Sequence, residues 1–229
     1  MIVKATFALR RGVTAIADEQ VPLFMEDEYR DEPDRSSLSH ASDLAPFKQT
    51  TDILLKGFAY PKAPSRTEVL VALRVGKLSK GARVIGDRAW DTLLGVTTLS
   101  SPQPFDRMPL IYERAFGGTD ASNQAHPERC EENPVGIGFR SKRSRLPMKG
   151  ARLPNIEAPT APIQSPTDRP SAWGFGPVAP HWSPRARFVG TYDDAWTQER
   201  FPLLPVDFDE RFHQVAPADQ LSLSYVQGS

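Results

Sequence analysis

The chain has 229 residues, 39% hydrophobic and 24% charged, with 28 Lys+Arg balanced by 28 Asp+Glu. Zero net charge supplies no whole-molecule attraction to nucleic acid or to an anionic membrane, and no apolar run reaches the roughly 18 residues that span a bilayer. Cys130 is the one cysteine, which excludes an intramolecular disulfide framework and fits a reducing compartment. A soluble, cytoplasmic globular protein forming a single domain over residues 1–229 is expected.

Proline is abundant, 22 residues in all, and breakers at that density disfavour long helices. The expected fold is mainly β, an antiparallel sheet or sandwich with a few short helices and long proline-rich loops; α+β is the alternative. In chain order, the apolar stretch Ile2 to Leu9 predicts a strand, with Val13 to Ala17 returning as its hairpin partner. Thr51 to Tyr60 and Thr67 to Val75 follow, separated by Pro61 to Ser65, which has turn chemistry. Val69, Val71, Leu73 and Val75 occupy alternate positions, the period of a half-buried strand. Ala82 to Ile85 follows a break at Lys80-Gly81, and Pro109 to Ala115 is a further strand candidate. Near the C-terminus, Thr191 and Asp194 precede Trp196 and Glu199 as a helix start, and Asp207 and Glu210 repeat the pattern around Phe208 and Phe212. Leu221 to Val226 alternates like a strand.

Two stretches carry skewed charge. Asp18 to Asp43 contains nine acids against Arg30 and Arg35, and Arg140 to Arg152 contains six bases and no acid. Like-charge blocks in polar sequence read first as solvated loops. The sharper reading makes Arg140, Lys142, Arg143, Arg145 and Lys149 a docking surface for an acidic protein. Nucleic acid is disfavoured, because no aromatic residue is interleaved there to stack on bases. Between Pro147 and Pro184 lie nine prolines, too many for continuous sheet or helix. Trp173, Phe175 and Trp182 within that segment need burial, so it is expected to wrap over the core.

Chemistry is sparse. His40, His126, His181 and His213 are scattered and set no metal-ligand spacing. Cys130 sits in Glu-Arg-Cys-Glu-Glu, where neighbouring carboxylates disfavour a thiolate nucleophile. No Gly-x-Ser-x-Gly elbow occurs, and Gly136-Ile-Gly138 and Gly174-Phe-Gly176 lack the strand–loop–helix frame of a phosphate site. No cofactor is implied. There remain charged pairs in apolar surroundings: Asp87-Arg88 near Trp90, Asp106-Arg107, and Glu113-Arg114. They read as a catalytic carboxylate with an arginine clamp, or, with more weight, as ion pairs that fix loop geometry.

Longer motifs add a resemblance. Phe105 to Gly118 (FDRMPLIYERAFGG) is followed by Asn133 to Phe139 (NPVGIGF) and Leu153-Pro-Asn155-Ile-Glu157. Then come Gly174 to Val178 and the run from Trp182 to Trp196. Arg200 to Phe208 and Ala216-Pro-Ala-Asp-Gln220 complete the series. Together, across nearly the whole chain, they resemble the bacterial domain-of-unknown-function family numbered 2169. Members of that family are associated with type VI secretion, beside toxin effectors and PAAR or valine-glycine-repeat spike proteins, or fused to pentapeptide repeats. The resemblance implies a non-enzymatic adaptor-chaperone that stabilises a toxin effector and helps load it onto the spike. It implies no catalytic residues, so Asp87, Arg88, Trp90, Asp106, Arg107, Glu113, Arg114, Asn133, Asn155, Trp182 and Trp196 are expected to be structural. Two alternatives stay open: an enzyme built on Asp87, Asp106 or Glu113 with an arginine, and a passive domain presenting a fused repeat. Relatives usually continue beyond Gln220, so this chain, which stops nine residues later, is expected to be C-terminally truncated.

Overall fold

Alternating Val69, Val71, Leu73 and Val75 build the strongest element of the fold. In the computed structural model, which describes residues 2–33, 35–44, 51–63 and 65–189, these residues lie in a long hairpin that organises the core. The chain divides by its contacts into Met1–Val189 and Gly190–Ser229, and all described residues belong to the first unit. The expected helices at 191–199 and 207–212, the strand at 221–226, and Trp196 lie outside the described residues.

The N-terminal part holds β1 (Phe7–Arg10), β2 (Val13–Ile16), β3 (Glu28–Tyr29), β4 (Leu38–His40) and β5 (Phe58–Ala59). The central part holds β6 (Glu68–Val75), β7 (Leu78–Ile85), β8 (Trp90–Leu93), β9 (Val96–Leu99) and β10 (Met108–Pro109). A 3-10 turn at Tyr112–Arg114 leads into β11 (Phe116–Gly117), β12 (Thr119–Asp120), β13 (Glu128–Arg129), β14 (Ile137–Gly138) and β15 (Ile156–Glu157), with a short helix α1 (Ser183–Val189) after them. The protein is mainly β: its described strands pair antiparallel in small sheets, except β11 with β14, which pair in parallel.

Register explains the core. β6 and β7 pair from Glu68↔Ile85 to Val75↔Leu78, and β15 adds to the other edge of β7 through Ile156↔Val84 and Glu157↔Arg83. Ala82, Val84 and Ile156 are thereby sealed beneath Met108, Leu110, Tyr112, Phe175 and Trp182. A second cluster gathers Trp90, Phe116, Leu153 and Ile163. Trp182 meets Tyr112 edge-on, ring centroids 5.5 Å apart. The proline-rich segment wraps the core as expected: Phe175 and Trp182 are buried, and Trp173 donates its indole N–H to the Gly81 carbonyl at 2.6 Å.

Several expectations need correction. Ile2 to Leu9 is strand only from Phe7, and Thr51 to Tyr60 only at Phe58–Ala59. The glycine at Lys80-Gly81 does not break β7, which starts already at Leu78. Pro109 to Ala115 is strand only at Pro109, the end of β10, because the chain then turns through a 3-10 helix at Tyr112–Arg114. The acidic segment 18–43 is more than a solvated loop: it contains β3 and β4, and Ser36, Ser37 and Leu38 are buried.

Candidate functional site

The charged pairs adjacent in sequence do not pair with each other. Asp87 and Arg88 follow β7 outside any helix, where successive side chains point to opposite faces, and each finds its counter-group elsewhere. Arg88 turns inward to Glu157, whose side chain is 1% exposed. Glu157 also lies 3.9 Å from Arg83, which binds Glu68 through two hydrogen bonds of 2.7 and 2.6 Å. Asp87 turns the other way, accepting from Arg114 at 3.2 Å and from the Asn155 amide at 2.9 Å. The Glu113 carboxylate accepts from the backbone N–H and hydroxyl of Ser37, at 2.7 and 2.8 Å. Asp106 and Arg107 are exposed, and the Arg107 guanidinium stacks 4.9 Å above the Phe58 ring.

Asn133 and Asn155 are fully buried and act as backbone clasps. Asn155 donates to the Ile85 carbonyl at 3.0 Å and accepts from Arg114 at 3.0 Å, tying β7, the 3-10 turn and β15 together. Asn133 donates to the carbonyls of Tyr112 and Phe116, at 2.8 and 3.0 Å. Two glycines make room for it. A Cβ on Gly117 would come within 2.1 Å of the Asn133 carbonyl oxygen, and one on Gly136 within 2.4 Å of its amide nitrogen. Trp90, also buried, anchors the second cluster.

The basic segment 140–152 is the element left facing outward, and it is held firmly. At one end the buried Asp120 carboxylate accepts from the Ser141 and Ser122 backbone N–H groups, both at 2.9 Å. Burial alone would raise the Asp120 pKa, but the hydrogen bonds from the surrounding serines outweigh it and hold the carboxyl well below the usual range. Arg140 closes the turn by donating to the Leu146 and Pro147 carbonyls. At the other end the Trp90 N–H donates to the Ala151 carbonyl at 2.9 Å, the Gly150 N–H donates to the Trp90 carbonyl, and Met148 packs against the second cluster. The segment lies exposed on the surface, as expected of a hydrated loop, and forms a rim pinned at both ends.

Lys142, Arg143, Arg145 and Lys149 are exposed on that rim, and none of them forms an ion pair with a carboxylate of the described residues. Arg140, Lys142 and Arg143 of the rim line a groove of about 760 Å³ together with Phe116, Phe139 and the acids Glu128, Glu131 and Glu132. Cys130 lines the same groove, where burial pushes its thiol pKa up and the neighbouring Glu132 and Glu131 add to the rise. Exposed cations fixed at the edge of such a groove can steer an acidic partner surface toward it.

Glu157, Arg83, Glu68, Ser37 and Asp120 were not singled out from sequence, although they complete these networks. Glu157 left one usable signal: a carboxylate within the apolar run from Leu153 to Ala158 has to find an internal partner.

Against family models, residues 1–229 match the family described as "Uncharacterized protein conserved in bacteria (DUF2169)". No curated protein and no solved structure matches the chain.

Proposed function

The chain belongs to the DUF2169 family over its whole length, and on that premise we propose that it is a non-enzymatic adaptor-chaperone of the bacterial cytoplasm. It binds a toxin effector of the type VI secretion system and helps stabilise and load it onto the PAAR or valine-glycine-repeat spike. The observation that carries this reading is the pinned basic rim, Lys142 to Lys149, with exposed cations mounted on a rigid base. An adaptor must recognise one partner among many, and preorganised charge steers that encounter without ordering cost.

Exposed apolar surface adds support. β1 and β2 pair with each other, yet Phe7, Leu9 and Ile16 are exposed. Phe7 and Leu9 share one face of the hairpin with Ile16, opposite Phe7 in register. Such a face suits the shielding of an effector's unpaired apolar segments.

Two experiments test the proposal. Co-expression with the neighbouring toxin should raise soluble toxin recovery, and equal recovery with and without this protein refutes the adaptor role. Association of the complex should slow as salt rises, because exposed charges are screened within about 10 Å at 0.1 M salt. Replacing Lys142, Arg143 and Arg145 by Ser should reproduce that slowing with an unchanged circular-dichroism spectrum. Flat salt curves for both proteins exclude the basic rim as the docking surface.

A further inference from the structure

One lysine sits where the sheet calls for an apolar residue. The core-facing side of the β6–β7 hairpin sets Val69, Val71, Leu73 and Val75 against Val84, Ala82, Lys80 and Leu78. Alternation therefore puts Lys80 on the same face as the buried Ala82 and Val84. Although the residue as a whole is exposed, its ammonium turns in. It donates to the Gly174 carbonyl and lies 4.6 Å from the Trp173 ring centroid and 5.6 Å from that of Phe175. Desolvation holds its pKa below that of an ordinary lysine. No carboxylate of the described residues pairs with it.

Beside this ammonium the turn end of the hairpin covers a cavity of about 370 Å³, walled by Leu54, Leu73, Val75, Leu78, Phe175 and Val178. Gly174-Phe-Gly176, the motif that sequence reading assigns to turn glycines, also lines it. Gly174 lies so close to the buried Tyr112 ring that a Cβ would come within 2.8 Å of it, so the backbone itself is part of the wall. The volume falls in the range of small-molecule sites, roughly 300–1,000 Å³. Apart from Lys80, Ser79 and Tyr112 are the residues with polar side chains among those lining it. An extended peptide would bring an amide to be satisfied at every residue, which these walls serve poorly. One cation on an apolar cavity matches one anionic head on one apolar chain.

We propose that this cavity binds a medium-length aliphatic carboxylate, its chain against Leu73, Leu78 and Phe175 and its carboxylate on Lys80 Nζ. The site is independent of the adaptor reading and stands or falls separately. Titration of the full chain with decanoate, decanol and decyltrimethylammonium, followed by amide chemical shifts and calorimetry, tests it. Decanoate should bind saturably, with decanol and the cationic amphiphile weaker by about tenfold or more, the difference expected from one charge-assisted contact. Lys80→Met should remove that preference and leave decanol unchanged, while Lys80→Arg, which keeps the cation and guards against a folding artefact, should retain it. Equal binding of acid and alcohol, or decanoate binding indifferent to Lys80→Met, overturns the proposal and leaves Lys80 as an inward charge on the stretch of the β7 edge that β15 does not pair. Binding of an acidic apolar peptide with no response to decanoate also overturns it.

Discussion

Replacing Glu157 by Leu strands the guanidinium of Arg88 in the interior. The Arg88 side chain is 5% exposed and pairs with no other carboxylate of the described residues. Removing the acid therefore costs what an uncompensated buried charge costs, about 3–5 kcal/mol. Arg88→Met costs less, because Glu157 keeps Arg83 at 3.9 Å. The double variant Arg88→Met/Glu157→Leu replaces the pair by apolar side chains of similar volume and should return to within about 1–2 kcal/mol of the parent. Urea unfolding reads this directly. At a slope near 2 kcal/mol per M, the Glu157→Leu midpoint should fall by roughly 2 M and the double variant should recover most of it. If the two single losses simply add in the double variant, the charges are not coupled and the reasoning fails. A Glu157→Leu loss below about 1 kcal/mol would refute it equally.

Three other outcomes follow from the same geometry. Gly117→Ala and Gly136→Ala should each abolish soluble folding, since both place a Cβ inside contact distance of Asn133 and Gly117 also holds φ +150°; soluble yield and circular dichroism check this, and a native spectrum from either refutes the clasp. Asp120 and Glu68 have pKa values lowered in the folded protein from 3.8 and 4.5, Asp120 by its hydrogen bonds against burial and Glu68 first by its hydrogen bond with Arg83. The stability they supply is therefore full above those values and lost as pH falls below them, so Asp120→Asn should flatten the acid limb of stability against pH. Leu94 is 96% exposed at φ +50° in the two-residue turn joining β8 and β9; Leu94→Asn, which tolerates that conformation, should raise stability by about 0.5–1 kcal/mol in thermal unfolding, and a loss would refute the strain argument.

Strand β6 was legible because alternating valines announce a strand with one buried face, while β7 was read only from Ala82 onward; the Trp182 and Phe175 burial was legible because large aromatics in a proline-rich segment need a core. The β8–β9 hairpin was not, since its turn is Leu94-Gly95 and lacks the Asn-Gly or Asp-Gly signal that a residue at positive φ ordinarily leaves. The stretch after Pro109 looked like strand by its apolar content, but Tyr112 to Arg114 is bent so that Asn133 and Asn155 can take its carbonyls. The largest gap concerns Asp87, Arg88, Glu113 and Arg114. Their chemistry was visible and their pairing was not, because Arg88 and Glu157 lie 69 positions apart and Ser37 and Glu113 lie 76 apart. The basic segment was visible by charge alone; what holds it, Asp120 and the Trp90 backbone, is tertiary.

The position of β15 also sets an order of events on the ribosome. The hairpins β1–β2, β6–β7 and β8–β9 are local and form as soon as their turns emerge, on the microsecond scale. The core sheet waits for Ile156 and Glu157, because Asn155 reaches back 70 positions to Ile85. Translation at about 5–20 residues per second leaves the valine-lined face of β6–β7 uncovered for several seconds. During that interval the free edge of β7 and the unpaired Arg88 belong to an unfinished chain. Slowing synthesis between codons 85 and 157 should therefore lower soluble yield more than slowing it earlier.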